Sequence, residues 1–152
     1  MDKINLVAIV MGSNSDETVM KGSEDILKDF DIKYEKILTS AHRMPDKTAL
    51  FAKNLEERGF EVVIAGAGKA AHLPGVIASY TILPVIGVPI KTDDLGGLDS
   101  LLSIVQMPTG VPVATVAING AKNAAILAVE ILALKYEIIK KKLLIYREKL
   151  RD

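Results

Sequence analysis

The chain has 152 residues, 49% of them hydrophobic, enough for one domain that buries about two-thirds of the surface its unfolded form exposes. Its 19 basic and 19 acidic residues cancel to a formal charge of zero, which removes the long-range positive field of a nucleic-acid binder and favours small, locally recognised ligands. The absence of cysteine excludes disulfides and thiolate metal sites, and two histidines fall short of an ordinary zinc ligand set, so no metal is expected.

Met1-Asp2-Lys3-Ile4 runs directly into a strand-like segment, without the charge, apolar stretch and small cleavage residues of a signal peptide. Lys, Asp, Pro or Gly interrupts each apolar stretch before it reaches the roughly 18 residues of a membrane span. A cytoplasmic, membrane-free protein is expected.

Short β-branched runs alternate with longer amphipathic ones, as in βα units around a parallel sheet buried on both faces. The first strand is read as Leu6 to Met11, followed by the turn Gly12-Ser13-Asn14-Ser15-Asp16 and a helix to about Phe30. That helix is expected to bury Val19, Met20, Ile26, Leu27 and Phe30, with Asp16 or Ser15 as its cap. A second strand covers Lys33 to Leu38. The next helix starts at Pro45, preorganised for a first helical position, and runs to Gly59 with Leu50, Phe51 and Leu55 on its core face.

Strand 3, Glu61 to Ala65, leads into Gly66-Ala67-Gly68-Lys69-Ala70-Ala71-His72 and a short helix from Leu73 to Tyr80. Strand 4, Val85 to Val88, lies between Pro84 and Pro89, which suit strand ends. The polar loop Lys91 to Gly97 precedes a helix from Leu98 to Gln106, and strand 5 is Val113 to Ile118. The pattern fits a flavodoxin-like three-layer αβα sandwich with a five-stranded parallel sheet.

From about Ala121 the periodicity stays helical almost to the end. Leu127, Ile131, Leu134 and Ile138 form one stripe, and Ile139, Leu143, Tyr146 and Leu150 another. Unbroken, this long C-terminal helix would measure about 45 Å and outrun the domain. A solvated tail is one reading. The many Ile and Leu residues favour packing against a neighbouring subunit.

In an open parallel sheet, ligands bind beyond the carboxyl ends of the strands. The loops after strands 1 to 4 therefore share one rim, which collects both histidines, Arg43 and Asp16. Histidine exchanges protons near neutrality, so His42 and His72, on short loops bounded by Gly and Pro, are candidates for acid–base chemistry. The turn Gly12 to Asp16 offers backbone N–H groups and two hydroxyls at a helix N-terminus, a phosphate site to which Arg43 adds a charge-assisted bidentate partner. Asp16 would repel that phosphate, and a ribose diol is its natural partner. Gly66 to Ala71 matches a GxGxxA pattern, but it follows the third strand and lacks the later acidic residue. Its glycines instead let the backbone approach a flat ligand ring.

Four segments together resemble the N5-carboxyaminoimidazole ribonucleotide mutases of purine biosynthesis, the class I PurE family. They are Met11-Gly12-Ser13-Asn14-Ser15-Asp16, Ser40-Ala41-His42-Arg43-Met44-Pro45, Ala65 to Gly75, and Asp99 to Pro108. The resemblance runs from Val7 to about Leu132. It implies a cofactor-free isomerisation that moves a carboxylate from the exocyclic nitrogen of an aminoimidazole ribonucleotide to ring carbon 4. It also implies a homo-octamer, with active sites near subunit junctions and a C-terminal helix that engages a neighbour.

By motif position, the resemblance assigns Ser13, Ser15 and Arg43 to the phosphate, Asp16 to the ribose and His42 to general acid–base catalysis. Ser40, Ala67, Gly68, His72 and Leu73 would line the pocket for the imidazole and the migrating carboxyl group. The chain departs from the family pattern at Lys69, usually glycine, at Met44, usually threonine, and in a shorter Ala117 to Asn123 stretch. Two other readings compete. One is the related carboxylase that joins carbon dioxide directly to aminoimidazole ribonucleotide, against which the Ala70 to Gly75 segment argues. The other is a noncatalytic, flavodoxin-type nucleotide-binding module.

Overall fold

The computed structural model describes residues 6–151, so the N-terminal segment Met1-Asp2-Lys3-Ile4 lies outside the described residues. Five strands, β1 (Val7–Met11), β2 (Tyr34–Leu38), β3 (Val62–Gly68), β4 (Val85–Ile90) and β5 (Ala114–Thr115), form one sheet. Their order is β2-β1-β3-β4-β5 and every pairing is parallel. Six helices follow the strands: α1 (Glu17–Asp29), α2 (Pro45–Lys53), α3 (Leu73–Tyr80), α4 (Leu98–Val105), α5 (Ala121–Ala133) and α6 (Glu137–Lys149). The flavodoxin-like sandwich expected from the alternating pattern is the fold observed.

Successive strand side chains point to opposite faces, so β1 divides its residues between two cores. Val7, Ile9 and Met11 pack with Met20 and Leu27 of α1 and with Ala124, Ala128 and Leu132 of α5. Ala8 and Val10 pack with Phe51, Ala52 and Leu55 on the α2 side, Ile77 of α3 and Ile104 of α4. Both faces are covered, which explains why β1, β3 and β4 are almost continuously apolar.

The chain passes from β1 outward to β2, then crosses back over β1 to β3, so the carboxyl ends of β1 and β3 flank the topological switch point. Met11 is in register with Leu38 and Gly66. The turns after β1 and β2 and the end of β3 therefore emerge side by side.

Several sequence expectations need correction. Ser13, not Asp16 or Ser15, supplies the side-chain cap, and it caps a single 3-10 turn (Asn14–Asp16) that leads into α1. Leu50 is exposed, because the buried stripe of α2 runs through Thr48, Phe51 and Ala52 and on to Leu55 at i, i+3, i+4, i+7 spacing and leaves Leu50 on the opposite side; α2 itself ends at Lys53, short of the expected Gly59. Gly66-Ala67-Gly68 belongs to β3 and not to a loop. β4 continues through Pro89 to Ile90, with Pro89 paired to Ala67. Proline is tolerated there because the N–H it lacks would point to the β5 side, where the short β5 has already ended; its carbonyl, on that same side, accepts from Asn119 N–H at 2.7 Å. β5 itself shrinks to two residues.

The expected long C-terminal helix is instead a helical hairpin. Tyr136 is extended (φ −109°, ψ 106°) and separates α5 from α6. Glu61, at the foot of β3, accepts bonds from Tyr136 Oη and Lys135 Nζ, each at 2.6 Å. Folding back buries Ile139 and brings Tyr146 against Phe30, ring centroids 5.4 Å apart. The inner face of α5 is made by Ala121, Ala124, Ala125, Ala128, Val129 and Leu132, offset from the stripe of larger residues. Leu134 is left 90% exposed at the turn.

Candidate active site

At the end of β1, Ser13 takes an extended conformation (φ −150°, ψ 150°), and its Oγ accepts the Ser15 N–H at 3.3 Å. The two hydroxyl oxygens lie 2.9 Å apart, so this turn presents a paired hydroxyl edge just ahead of α1. The turn after β2 folds onto it. Arg43 donates from Nη2 to the Gly12 carbonyl at 3.0 Å and from Nε to Ser40 Oγ at 3.4 Å, while Ser40 Oγ also accepts the Arg43 backbone N–H at 3.2 Å. The guanidinium is thus fixed beside the serine turn and keeps further donors free.

Asp16 lies buried in this turn. Burial pushes its carboxyl above the usual carboxylate range, and the Ser13 and Gly12 N–H groups and the Arg43 guanidinium draw it partly back. A group under such opposing influences suits hydroxyl donors better than an anion.

Beyond β3, two tight bonds, Ala71 N–H to Lys69 O and His72 N–H to Ala70 O, both 2.8 Å, turn the chain sharply into α3. Lys69 has φ +54°, the left-handed region that glycine enters freely. Leu73, buried at the first position of α3, anchors His72 from below. His72 Nδ1 then lies 2.7 Å from His42 Nε2. Gly68 allows the strand end to close on the next loop, since a Cβ there would stand 3.1 Å from Thr92 Cγ2 and 3.4 Å from Ile90 O.

These walls enclose a cavity of about 520 Å³, within the range of small-ligand sites. Ser13, Ser15 and Asp16 line it from the first turn, Ser40, His42 and Arg43 from the second, and Ala67, Gly68, His72 and Leu73 from the third. Every site residue expected from the sequence therefore meets the others in one place. Gly12, Ala41, Lys69, Ala70 and Thr92 also line the cavity and were not among the expected site residues. For Thr92 the available signal was its place just past the carboxyl end of β4.

Among the described residues, no group of three or more His, Cys, Asp or Glu is gathered as metal ligands. No helix among them is long and apolar enough to cross a membrane.

Comparison with known proteins adds independent findings. A family model for AIR carboxylase matches residues 6–152. The N5-carboxyaminoimidazole ribonucleotide mutase of Thermotoga maritima is 63% identical over 145 residues, which is 95% of this chain and 85% of that protein. The protein of the same name from Pyrococcus abyssi is 61% identical over 145 residues, covering 95% and 83%. The crystal structure of Treponema denticola PurE superposes with a TM-score of 0.87 at 30% identity, covering 96% of this chain and 91% of that one.

Proposed function

The chain belongs to the AIR carboxylase family, and from that premise we propose that it is an N5-carboxyaminoimidazole ribonucleotide mutase, an isomerase that forms 4-carboxyaminoimidazole ribonucleotide for purine (IMP) synthesis. The observation that carries this reading is the meeting of a bonded His42–His72 pair with the Ser13–Ser15 hydroxyl edge and Arg43 in one cavity. The relatives from Pyrococcus abyssi and Thermotoga maritima, both named as mutases, support it.

The substrate's phosphate sits on the Ser13 and Ser15 hydroxyls and the N-terminal turn before α1, with Arg43 supplying the countercharge. Asp16 accepts from the ribose hydroxyls. The imidazole lies against Ala67 and Gly68, where the missing Gly68 side chain lets the backbone approach the ring, and Ser40, His72 and Leu73 close the wall.

The N–C bond of the N-carboxylate breaks, carbon dioxide is released, and the exocyclic nitrogen takes a proton from His42. Carbon 4 of the electron-rich ring then attacks the retained carbon dioxide, and His42 removes the carbon 4 proton. One proton is given and one recovered, so the reaction is an isomerisation that needs no cofactor. Confinement supplies a large effective molarity for the recapture, and the proton transfers contribute on the order of 10²- to 10⁴-fold.

Assembly as a homo-oligomer, an octamer by family resemblance, belongs to the same proposal, as does a cytoplasmic location. Apolar surface supports assembly: Leu98, Leu102 and Val105 on α4 are about half exposed, and Leu134, Ile138 and Leu144 stand out from the α5–α6 hairpin. Light scattering on the purified protein measures the subunit number, and a monomer at micromolar concentration refutes the assembly.

The deciding experiment follows interconversion of the two carboxylated ribonucleotides, and compares it with turnover of aminoimidazole ribonucleotide plus bicarbonate. Efficient conversion of the N-carboxylated substrate is expected. Efficient use of only aminoimidazole ribonucleotide with bicarbonate would make the protein the direct carboxylase.

A further inference from the structure

His42 stands exposed in the turn that joins β2 to α2, so its ring is placed only as well as the backbone that carries it. Arg43, its neighbour, is tied by its own side chain to Gly12 O and Ser40 Oγ. Among the described residues His42 makes one side-chain hydrogen bond, to His72. The placement of its ring therefore depends on what holds the turn.

Two fully buried threonines bracket that turn, Thr39 at its entrance and Thr48 in α2. Thr39 N–H donates to Met11 O at the end of β1, at 2.9 Å. The two threonine hydroxyl oxygens lie 2.7 Å apart, and Thr48 Oγ1 lies 2.9 Å from Met44 O, which can only accept. A hydroxyl has one proton to give. That of Thr48 goes to Met44 O, so Thr39 is the donor in the other bond, and the relay runs from Thr39 through Thr48 to Met44 O. It joins the entrance of the turn to its exit.

A helical threonine bonded to the carbonyl four residues earlier is common and local in effect. Thr48 also accepts from the far side of the turn, in an interior without water to compete, where a hydrogen bond is stronger than at the surface. Met44 makes no side-chain cap bond for α2. The other side-chain tie across the gap, from Lys47 Nζ to Leu38 O at 2.9 Å, is exposed and competes with water.

We propose that Thr39 and Thr48 are positioning residues for the reaction, whose buried hydroxyl relay clamps the two ends of the turn and so holds His42 against His72 and within reach of the reacting imidazole. The proposal rests on the mutase reading and adds to it two residues that touch no ligand. Because Arg43 keeps its own ties, loss of the relay displaces His42 more than the phosphate site and appears in kcat more than in KM.

The test compares the full chain as wild type, Thr39→Val, Thr39→Ser and the double variant Thr39→Val with Thr48→Val. Valine matches threonine in shape and removes the hydroxyl, whereas serine keeps the hydroxyl and removes a methyl group. Thr39→Val leaves no donor stranded, since Thr48 still gives its proton to Met44 O. The double variant removes both partners, a change that is nearly neutral for stability, and Met44 O keeps its bond from the Thr48 backbone N–H. With N5-carboxyaminoimidazole ribonucleotide, kcat is expected to fall about 10- to 100-fold in Thr39→Val and in the double variant, as a misplaced reacting group implies, while KM changes far less and Thr39→Ser keeps most of the rate. Crystal structures read the same effect without turnover: the His42 Nε2 to His72 Nδ1 contact opens beyond hydrogen-bond reach in both valine variants and stays closed in Thr39→Ser. Valine variants that fold and keep both the wild-type kcat and the histidine contact overturn the proposal, as does a serine variant that loses as much as they do. A wild-type chain that does not interconvert the two carboxylated ribonucleotides overturns the mutase reading instead, and the His42 to His72 separation then decides the clamp on its own.

Discussion

His42 Nε2 and His72 Nδ1 lie 2.7 Å apart, with the two rings inclined at 84°. At that distance a single proton occupies the line between them, so the tautomer of one ring dictates the tautomer of the other. His72 therefore orients His42 as well as walling the cavity. His42→Asn is expected to lose at least about 10²-fold in kcat with KM little changed, as removal of a general acid–base implies. His72→Ala, which leaves His42 in place but free to rotate, costs less than His42→Asn. Steady-state kinetics of both variants check the order, and a larger loss from His72→Ala would reverse the roles.

The strands were readable because β1, β3 and β4 are buried on both faces and so carry runs of Val and Ile that no amphipathic helix would show. The bounds of α3, Leu73 to Tyr80, were readable for a local reason, since Pro74 suits a first turn. The break at Tyr136 was not, because the residues that hold it act across the sequence. Glu61 reaches Tyr136 from 75 positions away, and no Gly or Pro marks the bend. Leu50 was misplaced because it neighbours Phe51 in sequence but stands off the Thr48–Phe51–Ala52–Leu55 stripe, whose polar first member gives no apolar signal.

The site was legible at the level of segments, since each expected residue follows a strand and parallel strands deliver their ends to one rim. Which side chains touch was not legible. The bond between His42 and His72 and the Thr92 hydroxyl, without a partner among the described residues, depend on how far β3 and β4 extend, and both strands run longer than local patterns indicate.

Arg43 has two duties, and they make Arg43→Lys a poor substitute. Its Nη2 and Nε hold Gly12 O and Ser40 Oγ in a fixed fork, while its charge faces the proposed phosphate. A lysine supplies the charge and loses the fork. Arg43→Ala is expected to raise KM at least about 10-fold, in line with loss of a charge-assisted bond, and Arg43→Lys to recover only part of it. Full recovery by lysine in a substrate titration would assign Arg43 charge alone.

Asp16 sets binding against stability. Burial raises its carboxyl pKa in the folded state, so the folded protein holds that proton more tightly than the unfolded chain does. This contribution to stability is fully present at pH values below the unfolded value of about 3.8 and is lost as pH rises through the higher folded value. At pH 7 the ionised group is a net cost, which Asp16→Asn removes. The variant is expected to show a higher Tm than wild type at pH 7 and a smaller difference near pH 3, together with a KM about 10-fold higher from the lost ribose acceptor. Thermal melts across that range check the sign, and a Tm lowered at pH 7 contradicts it.

Gly87 ties the sheet to α4, the helix that follows the loop carrying Lys91 to Gly97. A Cβ at Gly87 would stand 2.4 Å from Ile104 Cγ2 and 3.0 Å from Val113 Cγ1, both on β-branched side chains with little rotamer freedom, and Ile104 is fully buried. Overpacking of this kind costs about 1–3 kcal/mol, so Gly87→Ala is expected to lower stability by that amount in urea melts. Ile104→Ala alone leaves a cavity and costs about 2–5 kcal/mol. Because the added methyl would occupy space that Ile104 vacates, the double variant is expected to be more stable than the sum of the two losses predicts, by at least about 0.5 kcal/mol. Strict additivity in that cycle would mean that α4 shifts as a body instead of meeting the sheet through this contact.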